Sequence, residues 1–104
     1  MQTTITARHC EIPDALRDRA RVITERLGVL ASRPLEAVVT FHADGLEQVV
    51  ELRLHDSRGE VFIATGEAPD HRTALDRAEE KLRRQLEKAN SRPRRARPRP
   101  APPV

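Results

Sequence analysis

"LEAVVTFHADGLEQVVELRLHDSRGEVFIATGE", residues 35–67, decides the fold. Its apolar side chains recur at every second position, the period of a strand with one covered face. Leu35, Ala37, Val39 and Phe41 share a face of one run, 35–43. Val50, Leu52 and Leu54 share a face of the next, 46–55, with Glu51 and Arg53 opposite. Asp44-Gly45 between them is a hairpin signal. "DSRG" at 56–59 marks a second turn, and 60–67 reads as a third strand with Phe62 and Ala64 inward and Ile63 outward. Three strands joined by tight turns make an antiparallel meander.

On either side of this stretch the period changes. "QTTITAR" (2–8) alternates and is rich in Thr and Ile, so it reads as another strand. Leu16, Ala20, Ile23, Leu27 and Leu30 then recur at spacings of four and three, which predicts an amphipathic helix over about 13–29. Pro13 suits its first position, and Asp14 and Asp18 sit near the positive end of its dipole. Beyond the meander, Pro69 stops the strand and Asp70 can cap a second helix over about 70–90. Leu75, Ala78, Leu82, Leu86 and Ala89 form its apolar stripe. The four glycines fall at turns or element ends in this reading. The order β-α-β-β-β-α predicts an α+β sandwich of two layers, with two helices on one face of a four-stranded, mostly antiparallel sheet.

The chain has 104 residues, of which 38% are hydrophobic, enough for one small domain. Residues 1–90 are expected to form that domain. Residues 91–104, rich in Arg and Pro with almost no large apolar side chain, are expected to be a disordered tail. With no bilayer-spanning run and no signal peptide, a cytoplasmic protein without a membrane partner is expected. The single cysteine, Cys10, excludes an internal disulfide and a cysteine-based metal site, and reads as a small loop or core residue. His9, His42, His55 and His71 are scattered over separate elements and make no zinc-hydrolase pattern. There is no glycine-rich phosphate loop. No catalytic or metal-ligating residue, cofactor or small-molecule substrate is expected.

Charge is sorted rather than excessive. The formal net charge is +3, with 19 Lys and Arg against 16 Asp and Glu. Five arginines lie beyond Ser91, which leaves 14 bases against 16 acids in residues 1–90, a net of −2. On the second helix, with Leu75 at zero, Arg77, Lys81, Arg84 and Lys88 lie between roughly 180° and 240°, while Asp76, Glu79, Glu80 and Glu87 lie between roughly 40° and 140°. A charged helix face is ordinarily only a solvated one. Here, however, the basic stripe lengthens into Arg92, Arg94 and Arg95, and Arg8, His9, Arg17 and Arg21 add bases around the first helix. These residues together suit a phosphate backbone. With no Trp, no Tyr and two Phe that the core needs, stacking on single-stranded bases is disfavoured, and structured RNA recognised by shape is the expected partner. Two rival readings are a general structured-RNA-binding module of the same fold and a protein-binding regulator using the acidic flank, Asp76, Glu80 and Glu87.

Two blocks carry a family resemblance. The first includes Ile5, Thr6, Ala7, Arg8, His9, Ile12, Ala15, Leu16 and Arg17. The second includes Asp70, Ala74, Leu75, Asp76, Lys81, Leu82, Arg84, Gln85 and Leu86. In order, and over about residues 2–90, they resemble the ribosome hibernation-promoting factors or ribosome-associated translation inhibitors, the sigma-54 modulation protein family. The resemblance implies a fold like the double-stranded-RNA-binding domain with a strand added at the start. It implies a non-catalytic protein that docks on rRNA of the small ribosomal subunit and on whole ribosomes, overlaps the tRNA and mRNA channel, and silences translation in stress or stationary phase. Arg77, Lys81, Arg84 and Lys88 match the family's basic face on the last helix and are the first-choice rRNA contacts. The chain resembles the short type, which lacks a further C-terminal domain, and a monomer in solution is expected. It departs from the family where His71 and Arg72 follow Asp70 in place of Met-Tyr.

Overall fold

Six elements follow in the expected order: β1 (Gln2–Ala7), α1 (Asp14–Gly28), β2 (Pro34–Asp44), β3 (Glu47–Asp56), β4 (Val61–Ala68) and α2 (His71–Ser91). The computed structural model describes residues 1–91. The sheet order is β1-β2-β3-β4. β1 is parallel to β2, because α1 carries the chain back between them. The other two pairs are hairpins and antiparallel. Both helices cover one face, so the fold is the two-layer α+β sandwich that the periodicity predicts.

The inward residues of the meander and the helix stripes meet in one core. Ile23 and Leu27 of α1, Val39 and Phe41 of β2, Leu52 and Leu54 of β3, and Leu75, Leu82 and Leu86 of α2 are all essentially fully buried. Each such side chain contributes about 1.5–3 kcal/mol by leaving water. Phe62 packs against this cluster and Ala64 is buried in it, whereas Ile63 is exposed, as its alternation implies. Cys10 is half-buried against the core, and its thiol donates to the Phe41 carbonyl at 3.6 Å.

Four local expectations change. Leu35 does not join Ala37, Val39 and Phe41; it is 58% exposed. The β2–β3 register slips between Pro34 and Glu36, so Leu35 is the extra residue of a bulge and turns outward. The first hairpin turn is Gly45-Leu46 rather than Asp44-Gly45, because Asp44 still pairs with Glu47. Gly45 supplies φ 67° at the first turn position. Pro13 precedes α1 in an extended conformation, and its carbonyl accepts the first helical bonds from Leu16 and Arg17. Gly66 lies inside β4, not at an element end. A side chain there would put its first carbon 2.6 Å from the Ala78 amide nitrogen and against the Ala74 carbonyl. The missing side chain lets α2 lie directly on the strand.

Candidate nucleic-acid interface

α2 begins where Asp70 accepts from the Thr73 amide at 2.8 Å and from the Thr73 hydroxyl at 3.1 Å. These bonds, the amide first, hold the Asp70 carboxyl below the usual aspartate range. The helix then crosses β4 in the opposite direction, over β3 and β4, while α1 lies over β1 and β2. Arg77, Lys81, Arg84 and Lys88 are all exposed along the outer flank of α2.

Two of these four have partners that the spacing did not suggest. Arg77 donates to the Glu67 carbonyl at 2.6 Å and Lys81 to the Thr65 carbonyl at 2.8 Å. Gln85 continues the series, donating to the Ile63 carbonyl at 2.8 Å. β4 is the last strand of the sheet, so these carbonyls face outward with no strand among the described residues to donate to them. The series stays in step because four helical residues advance about 6.0 Å and two strand residues about 6.8 Å. Arg84 reaches instead to Glu80, one turn back, at 2.8 Å.

The acidic flank also has a local cause. Asp76 bonds Arg19 of α1 at 2.8 Å, tying the helices together, and Glu79 pairs with Arg83 at 2.7 Å. The Asp76 hydrogen bond is the main reason the Arg19 guanidinium is held above its usual pKa. The charge sorting on α2 therefore answers two different neighbours: a helix on the acidic side and a bare strand edge on the basic side.

The remaining basic residues are divided. Arg17 donates to the Ile5 carbonyl at 3.3 Å, on the outer side of β1, and Arg21 is exposed one turn further along α1. This is the opposite edge of the sheet from Arg77 and Lys81, three strand spacings or roughly 14 Å away. His9 is exposed in the β1–α1 loop with φ 55°. Arg8 turns to the uncovered face of the sheet, where it lines a shallow hollow with His42, Glu51 and Arg53. Arg92, Arg94 and Arg95 lie outside the described residues. The structure thus gathers the four α2 cations on one flank and sets Arg17, Arg21, Arg8 and His9 elsewhere.

Three residues have structural work around this interface that the sequence pattern did not assign to them: Gln85, Arg19 and His71. Gln85 could have been found, since it stands four and eight residues beyond Lys81 and Arg77. Arg19 needed knowledge of which helix faces which. His71 needed the fold itself: its Nε2 lies 3.1 Å from the His42 carbonyl, and its ring meets the Phe41 ring edge-on at 5.4 Å.

A family model described as sigma 54 modulation protein / S30EA ribosomal protein matches residues 3–94. The chain belongs to that family. Two solved structures share the fold of this family member. One is described as a ribosomal subunit interface protein from Coxiella burnetii, with TM-score 0.74 and 22% identity, covering 88% of this chain and 100% of that one. The other is the N-terminal domain of Protein Y from Thermus thermophilus, with TM-score 0.73 and 28% identity, covering 86% of this chain and 99% of that one. Among curated proteins none matches significantly. No helix among the described residues is long and apolar enough to cross a membrane.

Proposed function

We propose that this family member is a non-catalytic cytoplasmic factor that binds rRNA of the small ribosomal subunit, occupies the tRNA and mRNA channel and silences translation during stress. The observation that carries the reading is the α2 flank: four cations, all exposed along one side of the helix, of which only Arg84 is paired with an acid of the same helix, Glu80, among the described residues. Membership of the sigma 54 modulation protein / S30EA ribosomal protein family supports it, and the fold is that of a protein described as a ribosomal subunit interface protein. A row of arginine and lysine along a rigid helix suits phosphates of folded RNA, whose shape rather than bases it would read. Arg17, Arg21, Arg8 and His9 form secondary contacts in this reading, and Arg92, Arg94 and Arg95 add further positive charge for the same partner.

Sedimentation with purified small subunits and whole ribosomes tests it. The full chain should co-sediment at low salt and be released as salt rises. Reversing Arg77, Lys81, Arg84 and Lys88 to Glu should abolish co-sedimentation with the circular dichroism spectrum unchanged. Retained binding by the reversed variant at moderate salt would overturn the assignment of that flank. Equal competition by a plain RNA duplex would instead favour a general RNA-binding module.

A further inference from the structure

We propose that the outer edge of β4 is a latent pairing surface for β4 of a second copy of this chain, held shut by Arg77, Lys81 and Gln85. The edge runs through "VFIATGEA", a stretch rich in β-branched residues whose Val61 and Ile63 are exposed. Such an edge templates the addition of another strand unless something covers it. Here the cover is specific. Three of the outward carbonyls, those of Glu67, Thr65 and Ile63, each take a donor from successive turns of α2. Among the described residues, no strand lies beside the outward amides of these same positions. The second copy fits by symmetry: antiparallel pairing centred on Thr65 sets Thr65 opposite Thr65 and Ile63 opposite Glu67, all positions with outward backbone groups. The α2 flanks would then meet, cation against cation, so Arg77 and Lys81 close the edge twice, by capping it and by repelling a copy of themselves.

The inference does not depend on RNA binding, and its test uses none. The full chain with Arg77→Ala, Lys81→Ala and Gln85→Ala should fold but self-associate at least about tenfold more tightly than the parent in sedimentation equilibrium. High salt should not dissolve the dimer, because backbone pairing is not a charge effect. Adding Thr65→Pro should return it to the parent's behaviour, since proline removes an outward amide and is tolerated on an edge strand. If the alanine variant loses its fold, Arg77→Leu, Lys81→Met and Gln85→Met remove the donors while keeping the stems over the strand. A folded variant that associates no more tightly than the parent overturns the inference. So does association that survives Thr65→Pro, because another surface would then be responsible.

Discussion

The two edges of the sheet are closed differently. At β1, among the described residues, one side chain reaches over from α1: Arg17, with a bond of 3.3 Å. At β4 three side chains arrive in sequence, at 2.6, 2.8 and 2.8 Å. The difference begins at Gly66, which lets α2 rest on the strand's backbone. A helix that close and antiparallel keeps pace with the strand, so every turn can deliver a donor. α1 has no such glycine under it. What looks from the sequence like a charged face is therefore partly a strand's missing hydrogen bonds, answered from the next layer.

The sharpest way to break this contrast is at its origin. Gly66→Val should destabilise by at least about 3 kcal/mol in urea denaturation, because the added carbons meet the α2 backbone, which cannot step aside. Ile5→Val on β1, where a methylene is merely lost from a half-buried side chain, should remove only about 0.5–1.5 kcal/mol. Next comes the turn that leads into β4. Asp56 is 4% exposed and accepts from the amides of Arg58 and Glu60, both at 2.9 Å. Asp56→Ala leaves both amides without that acceptor and should cost about 1–3 kcal/mol by the same measurement.

Smaller effects are expected at the exposed charged groups. Arg77→Ala with Lys81→Ala, or Arg17→Ala alone, should each change monomer stability by less than about 0.5 kcal/mol, since these groups are exposed or partly so and water replaces their bonds. In ribosome binding the same substitutions should separate the edges: removing all four α2 cations should flatten the logarithmic salt slope by about three, while Arg17→Ala with Arg21→Ala should shift it by less. The smallest effect is at the N-terminus of α2. The Asp70 carboxyl is depressed by its bonds to Thr73, so its contribution is present at neutral pH and lost as pH falls through its folded value. Asp70→Asn, which can still cap, should flatten the fall in stability on acidification while leaving the helix in place.

Most of the architecture was legible because it rests on period. The meander's alternation and the three-four spacing of the helices each have one physical cause, and both survive in the structure. What was not legible depended on neighbours. Leu35 obeys the parity of its strand until a bulge beside Pro34 turns it out. Gly66 looks like a turn glycine until a helix is laid upon it. The gathering of Arg77, Lys81, Arg84 and Lys88 was visible, but not that the first two have acceptors in the strand alongside. Nor was the separation of Arg17 and Arg21 from them, which follows from each helix covering its own pair of strands.

The bonds from Arg77 and Lys81 to the strand have one more consequence. Immobilising a long side chain at an interface ordinarily costs roughly 0.5–1.5 kcal/mol of lost rotamer freedom. These two are already restrained before any partner arrives, and each still has donors to offer. β4 thus acts as a jig for the cations above it: part of the ordering that a ligand would have to impose is done when the domain folds.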